Sequence, residues 1–252
     1  MLAPGEWLDE LRGLDISVDY YDINIRGALT AFSGANVASL CNNGDPNFCK
    51  YFTYNAAGTA TALNNPVVNL GGVRTKGVDF IVSYRKDLSE LNSALKGRWT
   101  TNFSGTYVAH VFVDPGVPGQ PIVDRAGDNG QQAQSTGGAQ PWLRANLSET
   151  YDLGKFSGTL QFLYVSKGRL DNTQNIGVPA TQINNNDVKP YLNTNLFASY
   201  QLTPKLQFFG AVQNLFDMEP ANSPYSVLNT SVSGAYYDKI GRAFQLGFDY
   251  KF

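Results

Sequence analysis

The sequence is poor in the residues from which metal and catalytic centres are built, with 1 His, 2 Cys and 2 Met among 252 residues. A single histidine leaves a Cys/His metal cluster short of ligands and a His-dependent nucleophile short of partners, and no glycine-rich phosphate loop is present. No catalytic, cofactor or metal residues are therefore expected. Charge is scarce as well: 16% of residues are charged, and 19 basic against 21 acidic side chains leave a net charge of −2. No global field draws the chain to nucleic acid, which is not an expected partner. No window approaches the roughly 18 consecutive apolar residues of a transmembrane helix, which excludes that element but leaves a membrane-spanning barrel open. The opening Met1-Leu2-Ala3-Pro4-Gly5-Glu6-Trp7 has no basic region followed by an apolar one, so no signal peptide is read there.

What is present is aromatic and alternating. The 14 Tyr and 15 Phe are strand formers, and eight runs carry period-2 patterning: 14–25, 77–85, 99–111, 143–151, 156–164, 192–200, 206–216 and 240–252. In the second, Val78, Phe80, Val82 and Tyr84 share a face opposite Asp79, Ser83 and Arg85. The first slips phase at Tyr20-Tyr21, where a bulge would restore it. The fourth places Glu149 on its apolar face. These runs exceed the usual five or six residues of soluble strands and fit a tilted crossing of a bilayer.

Connections alternate strictly in length. Long ones cover 27–71, 114–141, 166–189 and 217–239, and short ones cover 86–96, 152–155 and 203–205. No rule imposes this on a soluble sandwich, whereas outer-membrane barrels have short turns on one rim and long loops on the other. Tyr84, Trp99, Tyr151, Phe156, Tyr200, Tyr250 and Phe252 fall beside the short turns or the terminus, as an interfacial girdle would. The fold class expected is all-β, an antiparallel transmembrane β-barrel segment of about eight strands.

Several phrases, in order along the chain, carry a family resemblance: Val18-Asp19-Tyr20-Tyr21-Asp22-Ile23-Asn24-Ile25, Arg74-Thr75-Lys76-Gly77-Val78-Asp79-Phe80, Val212-Gln213-Asn214-Leu215-Phe216-Asp217, and the closing Gly241-Arg242-Ala243 followed by Phe244-Gln245-Leu246-Gly247-Phe248-Asp249-Tyr250-Lys251-Phe252. The chain resembles the C-terminal barrel portion of a TonB-dependent outer-membrane receptor. The resemblance implies a piece of a barrel of about 22 strands, with residues 1–12 a lead-in from a preceding strand and residues 13–252 the barrel segment. It implies barrel wall and extracellular loops only, for a receptor taking up a scarce solute such as a siderophore, vitamin or glycan. The plug through which TonB would act has no counterpart here. It further implies placement in the Gram-negative outer membrane with both termini periplasmic. The expected partners are outer-membrane lipid, the transported small solute and the barrel-assembly machinery. That machinery would read Phe244, Leu246, Phe248, Tyr250 and Phe252 as its signal. The alternative is a self-contained eight-stranded barrel with a structural or pore role.

Loop residues supply the remaining candidates. Cys41 and Cys49 flank Asn42-Asn43-Gly44-Asp45-Pro46-Asn47, a turn-forming stretch that can bring them together, and a disulfide is expected, with free thiols the alternative. Arg125, Asp128, Asn129 and Gln131 in one loop, and Asn184, Asn185 and Asn186 in another, are candidate ligand contacts, although amide-rich loops are also what solvated loops look like. His110 is read as a lumen-facing or rim histidine on the polar face of its strand. Gly71, Gly72 and Gly77 are read as permitting bends at the rim.

Overall fold

The computed structural model describes residues 11–31, 34–42, 46–64, 67–114, 116, 121–130, 141–170, 172, 185–220 and 237–252. The lead-in expected at residues 1–12 falls almost wholly outside them, as do Gln131 and Asn184. In chain order the strands are β1 (Leu14–Ala31), β2 (Phe52–Tyr54), β3 (Ala60–Leu63), β4 (Val67–Asp87), β5 (Arg98–Asp114), β6 (Val123–Asp124), β7 (Leu143–Leu153), β8 (Phe156–Val165), β9 (Gly168–Arg169), β10 (Asp187–Val188), β11 (Tyr191–Thr203), β12 (Leu206–Gln213) and β13 (Ala243–Tyr250). Eight of them form one sheet in the order β1-β4-β5-β7-β8-β11-β12-β13, with β6 added beside β5. Each long strand therefore pairs with its neighbour in sequence, and β1 and β13 are its two edges.

The eight alternating runs coincide with these eight strands, and the differences lie at their ends. β4 begins at Val67, ten residues before the run that starts at Gly77, and β1 continues to Ala31. β12 stops at Gln213 because Asn214 and Asp217 adopt φ of 50° and 54°, which a ladder does not accept. The Asn214 side chain closes that corner: its Oδ1 accepts from Met218 N at 2.8 Å and its Nδ2 donates to Met218 O at 3.0 Å.

Antiparallel register sorts the side chains into rows across the sheet. One face carries Thr101, Glu149, Leu160, Leu196, Val212 and Phe244 in one row, and Leu153, Phe156, Tyr200, Phe208 and Phe248 in another. The other face carries Thr100, Thr150 and Thr159 in register, then Asn102, Ser148, Gln161 and Asn195, and then Ser104, Asn146, Leu163 and Asn193. Phe197 and Phe209 interrupt this polar face; Phe209 packs where Gly247 has no side chain. Ser83 and Asn102 hydrogen-bond at 2.7 Å on the polar face, while Phe80 and Phe103 stack at 5.4 Å on the apolar one, which extends the same sorting to β4. One apolar and one polar face would suit a core and water as well as lipid and water, but here the apolar face stands open, with Phe244, Leu246 and Phe248 exposed, which suits lipid.

The chain divides into two compact units: Met1–Ile23 with Thr75–Val111 and Val123–Phe252, and Asn24–Arg74 with Phe112–Ile122. In the second, two helices, α1 (Gly34–Asn42) and α2 (Pro46–Cys49), precede the β2–β3 hairpin. Val37 and Phe48 form a small core there, against Cys41, Tyr51, Phe52 and Leu63. Alternation alone gave no sign of these helices.

Gly71 and Gly77 serve close approach rather than bending. A side chain at Gly77 would strike the Tyr107 carbonyl and the Tyr21 hydroxyl, and one at Gly71 would strike the Asp114 carbonyl. The strand runs through both as part of continuous β4.

Candidate functional site

Three places gather polar side chains, two in the first unit and one in the second. On the polar face of the sheet, a cleft of about 760 Å³ is lined by Asp19, Asp79, Ser104, Thr106, Arg144 and Asn146, drawn from four strands. Alternation at i and i+2 places them there, since Ser104 and Thr106 stand opposite Asn146 and Arg144 in the β5–β7 ladder. The Tyr21 hydroxyl hydrogen-bonds Thr75 and lies near Asp79 and Arg144. Both charge signs and several hydroxyls line this concavity together with Phe80, Ile81, Leu163 and Val165, so it presents polar groups beside apolar surface.

Beyond the ends of β5, β8 and β11, two loops are tied together. Arg125 Nη1 donates to Asp128 Oδ2 at 3.0 Å, and both residues are buried, Asp128 completely. Asn172 N donates to the other Asp128 oxygen, while its Nδ2 donates to the Asp124 and Ala126 carbonyls. Asn129 is also fully buried and donates from Nδ2 to the Ser166 carbonyl at 2.9 Å. Backbone bonds from Asn129 N to Arg169 O at 2.7 Å and from Arg169 N to Gly127 O at 2.8 Å complete the tie. Gly127, at φ +83°, lies against the Trp142 indole where any side chain would collide with the ring. β9 pairs β10, and Leu170 N donates to Asn186 O. Asn185 accepts from Asp187 N through Oδ1, an Asx turn.

Three of the candidate contact residues, Arg125, Asp128 and Asn129, are thus brought together as the interior of this inter-loop network, and Asn185 and Asn186 lie at its edge. Sequence gave no sign of the β9–β10 ladder inside the second loop or of the Asp128–Arg169 bridge that joins it to the first. The exposed side of this region is instead His110, whose Nδ1 lies 2.7 Å from Asp124 Oδ2. Burial would raise the Asp124 pKa, but the bonds from His110 and from the Val111 and Ala126 N–H groups outweigh it, and the net shift is downward from the ordinary 3.8. A carboxylate more acidic in the folded than in the unfolded chain contributes stability above its unfolded pKa, and that contribution is lost as pH falls through the folded value. Acidification below about pH 4 is therefore expected to loosen the attachment of β6 to β5. Exchange of the Val111 and Ala126 amides, followed from pH 6 to pH 3, should accelerate in the native protein and stay pH-insensitive, after correction for intrinsic rates, in Asp124→Asn.

In the second unit Cys41 and Cys49 are joined by a disulfide with Cα atoms 4.7 Å apart. Cys41 Sγ lies 3.8 Å from the Tyr54 hydroxyl, so the bridge faces the β2–β3 hairpin. Among the described residues, no group of three or more His, Cys, Asp or Glu could hold a metal ion.

The family model described as TonB dependent receptor-like, beta-barrel, matches residues 6–215. Among solved structures, the ferric-catecholate import receptor Fiu of E. coli is similar over 95% of this chain and 25% of its own, at 16% identity and a TM-score of 0.51. The FrpB iron transporter of Neisseria meningitidis matches over 95% of this chain and 29% of its own, at 16% identity and a TM-score of 0.58. The ferripyoverdine receptor of the Pseudomonas aeruginosa outer membrane matches over 94% and 25%, at 16% identity and a TM-score of 0.52. At these identities the likeness is one of fold. The chain spans between 25% and 29% of the length of these structures. No curated protein matches the chain.

Proposed function

Since the chain belongs to the TonB-dependent receptor-like β-barrel family, we propose that it forms barrel wall and outer loops of a receptor that takes up a scarce solute, with an iron-siderophore complex the favoured class. The family consists of outer-membrane receptors and transporters rather than enzymes. The observation that carries the reading is the two-faced sheet: its apolar rows suit lipid, and its polar rows line a cleft holding Asp19, Asp79 and Arg144. The similar structures are a ferric-catecholate import receptor, an iron transporter and a ferripyoverdine receptor, which supports the solute class.

In this reading the short connections and both termini lie on the periplasmic side, and the long connections face outward. The buried ties of Asp128 and Asn129 give the outer loops a fixed scaffold from which Gln131, Asn184, Asn185 and Asn186 would meet the solute. TonB would act through a plug segment outside these 252 residues. The assembly machinery would engage Phe244, Leu246, Phe248, Tyr250 and Phe252, all of them exposed along one face of β13 and its tail. The runner-up, a self-contained eight-stranded barrel, is disfavoured by the open sheet, in which β1 and β13 are edges rather than partners.

Quenching of tryptophan emission by ferric-siderophore complexes tests the solute class, because Trp142 lies against the loop network at Gly127. Titration with ferric-catecholate and ferric-hydroxamate complexes should quench saturably with one of them, and Trp142→Phe should remove most of the response. Non-saturable quenching by both would reject a siderophore as the solute.

A further inference from the structure

Among the described residues the apolar face carries two carboxylates: Asp22, which pairs with Lys76 at 3.1 Å on the face of Val78 and Phe80, and Glu149, which no cation meets. Glu149 stands opposite Thr101 on β5 and Leu160 on β8, in the row continued by Leu196 and Val212. Its Oε2 accepts two short hydrogen bonds, from Trp99 Nε1 and from Thr101 Oγ1, each 2.6 Å. Both donors lie on the same face as Glu149, so the group was built on that face and not left there by a slip in register. Among the described residues, Oε1 accepts no hydrogen bond and Glu149 enters no ion pair.

Position sharpens the point. The row nearer the short connections pairs Trp99 with Tyr151, whose rings lie 6.3 Å apart, and the Tyr151 hydroxyl donates to the Lys96 carbonyl at 2.9 Å. Glu149 is therefore one outward row inside the aromatic girdle, within about 10 Å of the strand ends for strands rising about 3.3 Å per residue at a tilt near 40°. Its two donors hold the carboxylate through Oε2 and leave Oε1 without a hydrogen bond among the described residues. An ionised group beside hydrocarbon is tolerated when an opposite charge with hydrogen-bond donors meets it. Among the described residues Glu149 has two donors and no cation.

We propose that Glu149, positioned by Trp99 and Thr101, binds the primary ammonium of a phospholipid headgroup, phosphatidylethanolamine, in the leaflet on the short-connection side. A primary ammonium carries three N–H donors to place against Oε1, whereas the trimethylammonium of phosphatidylcholine carries the same charge and none. The site thus distinguishes headgroups of equal net charge by hydrogen bonding. The inference rests on the bilayer placement of the apolar face.

The full chain, folded in detergent micelles and offered equimolar phosphatidylethanolamine and phosphatidylcholine, should retain the former preferentially when co-purified lipid is quantified by mass spectrometry. Glu149→Gln should lower the retention ratio about tenfold, the worth of one charge-assisted hydrogen bond. Trp99→Phe, which keeps the carboxylate and removes one holder, should lower it less. Unchanged far-ultraviolet circular dichroism of each variant would show that the fold persists, and Thr101→Val serves if Glu149→Gln does not fold. Equal retention of both lipids by the native chain, or a preference that survives Glu149→Gln, would overturn the proposal. Uptake of neither lipid would overturn the bilayer placement and the headgroup site with it.

Discussion

Arg125→Ala is expected to destabilise the inter-loop network by about 3–5 kcal/mol, because it leaves the fully buried Asp128 as a charge without its guanidinium. The loss should be local. Amide exchange at Asn129 and Arg169, whose N–H groups bond Arg169 and Gly127 carbonyls across the two loops, should rise to near-unprotected rates. Amides within the β7–β8 ladder should keep their protection. The double replacement Arg125→Ala with Asp128→Asn should be less damaging than Arg125→Ala alone, since the amide can still accept from Asn172 N and carries no charge to strand. Equal destabilisation by the single and double variants would show that the ion pair contributes nothing beyond packing.

The second large effect separates the two faces of one strand. Leu246, 89% exposed, lies opposite Gly210 on the apolar face, and its neighbour Gln245 lies opposite Ala211 on the polar one. Leu246→Arg should cost about 2–4 kcal/mol of stability in a bilayer, while Gln245→Arg should change it by no more than about 0.5 kcal/mol. Urea titration of the protein folded into phospholipid vesicles would read both. Equal sensitivity at the two positions would remove the assignment of faces, and a larger loss at Gln245 would reverse it.

The number and order of the long strands, and the sorting of their side chains, were legible because a period of two is set by the backbone and survives any loop, whereas the short β2, β3, β6, β9 and β10 were not. Val78, Phe80 and Val82 announce their strand without reference to the rest of the chain. Strand ends were less so: β4 extends back through Val67-Val68-Asn69-Leu70-Gly71-Gly72, where two apolar residues in succession and two glycines erase the alternation while the backbone remains extended. Helix α1, Gly-Ala-Asn-Val-Ala-Ser-Leu-Cys-Asn, has no acidic residue in its first turn and no basic one in its last. It is held instead by Val37 against Phe48 and by the Cys41–Cys49 bridge, contacts between residues about a dozen apart or fewer that no local period reports. The cysteine spacing was readable, but the core beneath it was not.

The same contrast holds at the site. Arg125 and Asp128 were picked out for their hydrogen-bonding capacity, and that capacity is used inward because β9 and an asparagine at position 172 bring a second loop against them. A residue type states what a side chain can bond, and only the partner's position states which way it points. Glu149 was legible as an exception to its face, whereas Trp99 and Thr101, which make the exception tolerable, come from a strand nearly fifty residues earlier.

The neighbour-to-neighbour order of the sheet bears on how such a wall can be made. No strand has to be threaded between two others already joined, so the structure can lengthen from an existing edge by one hairpin at a time. The short connections at 153–156 and 203–206 close at small entropic cost, and each long loop adds only a slowly growing one. Growth of this kind is indifferent to how many strands came before. The edge presented by β1 carries the same backbone donors and acceptors as every interior ladder, so what meets it decides the circumference of the finished wall.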